Sequence, residues 1–390
     1  MAVLHKDTEV RSREILEKPK KKYSGIDEPF TVLVLLLLLI GLVCLYSASY
    51  VTALHKTGDS TAYIVKQLKF AVAGVAVMFA ASRFDYHKLH YLAIPMMVLS
   101  TALLASIKFV PAIWETRNQA TRWINLGVSF QPSEITKFAF ILFFASWATI
   151  QGTRKMKRFR YGILPFVICT GVTAVMLSWQ PHLSATVTIA GIGAVIVFLG
   201  GASVFWFVLM GIGGAGLVWY YLQTHPYAWT RIQVWLDPFI DFRDKGWQGA
   251  QSLITIASGG IWGLGLGQGR QKHLYLPEPA NDFIFSVICE ELGFVGAAVI
   301  LLLFAALILR GYYIASKAPD KFGTLLVAGI ISQIAIQTIF NIGVVSGLLP
   351  VTGASLPFFS YGGTSLLMLL GEMGIVLAVS RRIPPDDKKK

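Results

Sequence analysis

The chain has 390 residues, 55% of them hydrophobic and only 14% charged, with a mean hydropathy of +0.61. A soluble domain of this size carries nearer a quarter charged residues, so the composition excludes an ordinary water-soluble globule. The formal charge of +13 does not indicate nucleic acid as a partner, because the basic residues lie in tails and short segments between apolar runs, where they set membrane topology.

Residues 1–29 are charged and poor in apolar side chains, the composition of a tail that builds no core. The first apolar run, Phe30 to Tyr46, follows this basic stretch and precedes the small residues Ser47, Ala48 and Ser49. It is long for the core of a cleaved signal peptide and is read as a retained first span. Further runs of about 18 or more apolar residues follow, each long enough to cross roughly 30 Å of hydrocarbon. A backbone crossing lipid must satisfy its own hydrogen bonds, so these runs are helices. Spans are expected at 30–52, 63–82, 89–109, 133–151, 161–180, 183–200, 203–222, 283–310, 322–346 and 355–380. The fold class is therefore an all-α, polytopic transmembrane bundle of about ten spans over 30–382, between tails 1–29 and 383–390.

With the N-terminus inside, 22 of the 34 Lys and Arg residues fall on inside segments or the C-terminal tail. The opposite orientation would put Arg154, Lys155, Lys157, Arg158 and Arg160 outside, so both termini are expected in the cytoplasm. The large segment 223–282, between spans 7 and 8, then lies outside, as does 108–133 with Arg117, Arg122 and Trp123. A loop that long in a tight bundle is more often functional than a simple connection. Cys44, Cys169 and Cys289 each sit within an apolar run and read as small buried hydrophobes, with neither a disulfide nor a metal site indicated.

Several polar residues stand out against this background. Asp282 lies where the long loop turns into the eighth span; it has the position of a helix cap and equally that of a general base at the membrane surface. Lys137, about one turn inside the fourth span, either snorkels outward or presents a cation to the bundle interior. Glu290 and Glu291 are about two turns into the eighth span, too deep to snorkel easily, so at least one is expected to face inward and pair with Lys137 or another cation. Glu372 in the last span is a similar, less specific case. The run Gly263, Gly265, Gly267, Gly269 follows no strand, so it reads as close backbone packing or a flexible re-entrant segment rather than a nucleotide loop. His182, at an outer turn, reads as structural or interfacial.

Five segments taken together resemble the SEDS family (shape, elongation, division and sporulation) over essentially Phe30 to Arg382. They are LYSAS (45–49), RWINLG (122–127), QPSEITK (131–137), GLGLGQGRQKHLYLPEPANDFIFSVICEELG (263–293) and LPVTGASLPFFSYGGTS (349–365). LYSAS and the long N-terminal tail favour the FtsW-like division branch over the RodA-like branch. The resemblance implies a peptidoglycan glycosyltransferase that polymerises lipid II outside the cytoplasmic membrane, together with a class B penicillin-binding protein and other division or elongation proteins. It places the family's essential aspartate on Asp282 and matches Lys137, Arg122, Trp123 and the Glu290–Glu291 pair to family positions. Two departures are visible: Ala280 and Asn281 stand where the motif usually has His-Thr, and QPHLS replaces a usual E/Q-P-D-L-G, putting His182 in place of an acid and Ser184 in place of a glycine.

The residues support this chemistry independently. The chain has no P-loop, and outside the membrane there is no ATP, so a transferase there needs a preactivated donor such as a lipid pyrophosphate. The reaction then needs one base, for which Asp282 is placed, and cations beside the leaving pyrophosphate, for which Lys137, Arg122, Arg243 and Arg270 are candidates. A divalent cation, Mg or Mn, is a candidate to share that role, although no metal-ligand spacing marks a site. The alternative function is a lipid II flippase, which would need polar groups along a whole transmembrane path; here they crowd one half. A pure scaffold would leave the buried acids and lysine unexplained.

Overall fold

The computed structural model describes residues 25–384 other than 118, 119, 126, 128, 181, 225, 243 and 245. Most of both tails, and Arg243, lie outside the described residues. The chain folds as a helical bundle in this order: α1 (Glu28–Thr57), α2 (Ala62–Ala81), α3 (Leu89–Phe109), a small sheet, α4 (Pro132–Met156), α5 (Phe159–Ser178), α6 (Leu183–Leu199), α7 (Val204–Thr224), α8 (Pro226–Leu236), α9 (Trp247–Gly259), α10 (Ile284–Lys317), α11 (Lys321–Val345) and α12 (Gly363–Ser380). Among the described residues, eight helices are long and apolar enough to cross a membrane, and two shorter apolar helices, Leu183–Leu199 and Val204–Gly214, stand at the expected sixth and seventh spans. The chain is a multi-pass membrane protein.

Local signals set the helix limits. The Asp27 side chain accepts from the Phe30 amide at 3.0 Å to start α1, and Gly58, at φ 75°, ends it. Pro132 opens α4 at a position whose amide has no intrahelical partner. Asp320 caps α11 through the Gly323 amide at 2.9 Å. The helices α4, α11 and α12 form the middle of the bundle, with 56%, 67% and 61% of their apolar windows buried. Helix α12 lies against α2 through glycines: a Cβ on Gly374 would stand 2.4 Å from the Met78 carbonyl oxygen. Small residues let two backbones approach this closely in lipid, where the hydrophobic effect does not drive helices together.

Three departures from the sequence expectation matter for the site. Residues 108–133 are not a plain loop. They carry an antiparallel sheet of Trp114–Arg117, Ala120–Asn125 and Ser129–Phe130, with Trp114 opposite Ile124 and Ile124 opposite Phe130. The last helix starts at Gly363 rather than near 355, and the preceding non-helical stretch folds back so that a Cβ on Gly41 would meet the Phe358 carbonyl oxygen at 2.5 Å. Third, α10 is interrupted at Gly293 (φ 66°, ψ −170°), and the glycine run fills the break. The amides of Leu264 and Gly265 donate to the carbonyls of Glu290 and Glu291 at 3.0 and 2.9 Å, and the amides of Phe294 and Val295 donate to Gly260 and Ile261 at 2.9 and 3.2 Å. The hydrogen bonds that the helix loses at its break are thus remade by the loop. Gly263 (φ 79°) is confined by this contact, since a Cβ there would stand 2.2 Å from the Glu291 carbonyl oxygen. Close backbone packing is what the glycine run does.

Candidate active site

A cavity of about 1210 Å³ opens at the end of the bundle that carries the small sheet and the long connection. Its wall includes Arg122, Trp123, Glu134, Lys137, His182, Glu278, Asp282 and Gln333. This exceeds the span of roughly 300–1,000 Å³ usual for small-molecule pockets, so it has room for a large substrate.

Asp282 sits on the final turn before α10. The helix cap is Phe283, and no side chain caps it, so the cap reading of Asp282 does not hold. Instead its backbone is fixed from three sides. Asn341 Nδ2 donates to the Asp282 carbonyl at 2.7 Å and to the Ala354 carbonyl at 2.6 Å. Ser360 Oγ donates to the Asn281 carbonyl at 2.7 Å, and the Tyr361 amide to the Ala280 carbonyl at 2.8 Å. The carboxylate itself is left pointing into the cavity, with no hydrogen bond to it from any described residue. Burial and the neighbouring Glu278 push it up to about 6, against the opposing pull of Arg122. A carboxylate held this way is a stronger base than an ordinary aspartate and remains mostly ionised at neutral pH.

Arg122 comes from the second strand, where the two-residue repeat puts it on the same face as fully buried Ile124. Its Nε donates to the Gln180 carbonyl at 3.3 Å. Burial lowers its pKa from the ordinary value while Asp282 raises it. Gly353, at φ 72°, lies between the two: a Cβ on it would stand 3.1 Å from Asp282 Oδ2 and 3.8 Å from Arg122 Nη1. Glycine answers both the backbone conformation and the lack of space. Ser184 Oγ donates to the Gly353 carbonyl at 3.0 Å and so helps hold this strip in place.

Deeper in the cavity Lys137 is buried and pairs with Glu134 at 2.8 Å, one turn earlier on α4. It faces the bundle interior and does not snorkel. Glu372 is buried within electrostatic range of both and accepts from Gln333 Nε2 at 2.9 Å. His182 is buried beside Arg122 and Lys137; burial first, and then those two cations, push its pKa down to about 3, so it is neutral in the physiological range.

Other expected residues are placed elsewhere. Arg270 is exposed and does not line the cavity. Glu290 and Glu291 also lie outside its wall, and neither pairs with Lys137. Glu291 accepts from Lys272 Nζ at 2.5 Å, from Ser47 Oγ and from the Gly267 amide at 3.1 Å; Glu290 accepts from the Arg270 and Gln271 amides at 2.9 and 3.2 Å. Their place is correspondingly structural rather than in the substrate-binding wall. Among the described residues no group of three or more His, Cys, Asp or Glu side chains is arranged to hold a metal ion. A further signal is legible in the sequence: Gln333, Gln337 and Asn341 recur every four residues in apolar α11, a polar stripe that the fold turns toward the cavity and the Asp282 backbone.

Residues 28–383 match the model of the cell cycle protein family of FtsW, RodA and SpoVE. Stage V sporulation protein E of Bacillus subtilis is 42% identical over 361 residues, covering 92% of this chain and 98% of that protein. A probable peptidoglycan glycosyltransferase FtsW from Geobacter sp. (strain M18) is 37% identical over 364 residues, covering 93% and 99%. Among solved structures, a chain of a peptidoglycan synthase complex that coordinates polymerization and crosslinking superposes with a TM-score of 0.75 at 27% identity, over 94% of this chain and 100% of that one.

Proposed function

This chain belongs to the cell cycle protein family of FtsW, RodA and SpoVE, and from that premise we propose that it is a peptidoglycan glycosyltransferase polymerising lipid II on the outer face of the cytoplasmic membrane. The observation that carries the reading is Asp282: a carboxylate fixed through its backbone, without a hydrogen-bond donor among the described residues, and facing a large cavity beside Arg122.

The chemistry follows from these groups. A sugar linked to a lipid pyrophosphate is already activated, because the pyrophosphate leaves well once its charge is neutralised. Asp282 takes the proton of the acceptor hydroxyl as that oxygen bonds to the anomeric carbon of the donor, and the bond from that carbon to the pyrophosphate breaks. Arg122 and Lys137 supply positive charge to the wall where the leaving group's negative charge develops. Neutral His182 adds no further like charge beside these two cations.

The orientation drawn from the basic residues puts the cavity outside and both termini in the cytoplasm. We infer that crosslinking of the glycan falls to a second protein; residues 1–390 hold no Ser-x-x-Lys acyl-transfer motif. We assign that role to a class B penicillin-binding protein, working with this chain in division or elongation, as the complex-forming structural relative suggests.

The test is the purified chain, alone and with its transpeptidase partner, supplied with defined lipid II. Glycan strands from the wild type and none from Asp282→Asn are the expected result. Movement of lipid II between leaflets without polymer in either case would favour a flippase and overturn the reading.

A further inference from the structure

The glycine-rich stretch before Asp282 is tied back onto the helix that follows it, and this tie involves a fully buried lysine. Lys272 is 0% exposed. Its ammonium donates to Glu291 Oε1 at 2.5 Å and to Ser47 Oγ at 3.0 Å, and lies 4.9 Å from the ring centroid of Tyr50. Glu291 is completed by Ser47 Oγ at 2.6 Å and the Gly267 amide at 3.1 Å, while Glu290, also 0% exposed, takes the amides of Arg270 and Gln271. There is no spare room: a Cβ on Gly269 would stand 2.9 Å from Glu290 Oε2 and 3.0 Å from Glu291 Oε1.

The topology gives this arrangement its consequence. The stretch 267–272 and the Glu290–Glu291 pair bracket Asp282 in the chain, so joining them closes a ring that contains it. The near side of the ring is held to α1 by Lys272 on Ser47, and the far side, also bonded to Ser47 through Glu291, enters the broken turn of α10. Three contacts already described fix the backbone at 280–282 locally, but the path by which 272–281 arrives is set at the closure.

We propose that Lys272, Glu290 and Glu291 form a clamp that positions Asp282 for catalysis, without touching substrate themselves. The proposal rests on Asp282 being the base, and a buried ion pair fits such a duty better than one of stability. Replacing a buried pair by apolar groups of equal size is often neutral for stability, whereas its geometric demand is strict.

The experiment compares wild type, Glu291→Gln/Lys272→Met and Gly269→Ala, all purified as full chains and supplied with lipid II. The double variant removes both charges together and keeps the volume. Gly269→Ala keeps every charge but makes the two carboxylates give way by a few tenths of an ångström. Both are expected to keep the wild-type KM and to lose about tenfold or more in kcat. The acid limb of the pH profile is expected to move, because the seat of Asp282 against Glu278 and Arg122, the charged groups that face it, has changed. A wild-type kcat and acid limb in either folded variant overturns the clamp. Loss of kcat only in proportion to loss of folded protein, or failure of both variants to fold, overturns positioning in favour of a purely structural tie. Asp282→Asn, run alongside, separates the two readings: full activity in that variant removes the base itself, while its inactivity beside fully active clamp variants removes the clamp alone.

Discussion

Asp282 and the Glu290–Glu291 pair lie on one stretch of chain, yet their carboxylates are treated in opposite ways. Those of Glu290 and Glu291 are saturated by backbone amides, a hydroxyl and an ammonium, in a region without space for one added carbon. That of Asp282 receives none of this; the fold spends its donors on the neighbouring carbonyls and leaves the acid facing the cavity. A saturated buried acid has no capacity left for a substrate, whereas one held by its backbone alone does. Burial and the number of acids in a segment do not separate the two roles; the destination of the hydrogen bonds does.

The largest effect expected from this contrast is on the unsaturated acid. Asp282→Asn is predicted to lower polymerisation about 100- to 10,000-fold, the usual worth of a positioned base. Its stability should move the other way. Folding raises the Asp282 pKa from 3.8 to about 6, so the folded state favours the protonated acid. The contribution of this group is most favourable below the unfolded value and is lost as pH rises through about 6. A thermal melt of the Asn variant should therefore match or exceed wild type at pH 8 and show no gain at pH 4. A variant that melts well below wild type at both would mean that Asp282 is a structural acid like its neighbours.

The saturated pair should respond by losing stability. Glu291→Gln alone leaves Lys272 buried without its ion-pair partner, which costs about 3–5 kcal/mol and lowers Tm by roughly 10 °C. Restoring charge balance with Lys272→Met should recover most of that loss in a detergent melt. An unchanged Tm in the single variant would show that water reaches the pair and that the saturation is not what holds it.

How much of this was legible in the sequence depends on the range of the forces involved. Lys137, Arg122, Trp123 and Asp282 stood out because charges and aromatics at a membrane boundary are costly and local in the chain, and all four line the cavity. The partner of Glu291 did not stand out. It depends on Ser47, which is distant in sequence, and on a helix break at Gly293 that an uninterrupted apolar run conceals. Likewise, the strand carrying Arg122 is short and embedded between polar residues, so it reads as loop. The late start of α12 was hidden because Phe358 and Phe359 are apolar without being helical; they pack into the core from a turn in which Phe358 takes a left-handed backbone, φ 66°.

A smaller effect is expected on the cation that tunes Asp282. Arg122→Gln keeps a donor for the Gln180 carbonyl but removes the charge that lowers the Asp282 pKa, so the acid limb should move above about 6. Activity at neutral pH should fall by about tenfold, through both the shifted base and the weaker stabilisation of the leaving group. A pH–rate profile with an unmoved acid limb would show that the two groups do not interact in the working enzyme.

The smallest effect is expected at His182, a group on this wall whose residue type ordinarily titrates near neutrality. Its Nδ1 lies 3.4 Å from Gln131 Nε2, and burial together with Arg122 and Lys137 pushes its pKa down to about 3. Between pH 5 and 8 it neither gains nor loses a proton, so its ring acts through shape and hydrogen bonding alone. His182→Gln keeps a neutral polar side chain of similar reach. It should leave kcat within about threefold, under 1 kcal/mol of barrier, and leave the acid limb where it was. If the limb vanishes or moves in this variant while Asp282→Asn retains measurable turnover with an unchanged profile, the proton is carried by the histidine, and the contrast between an open acid and a saturated pair says nothing about catalysis.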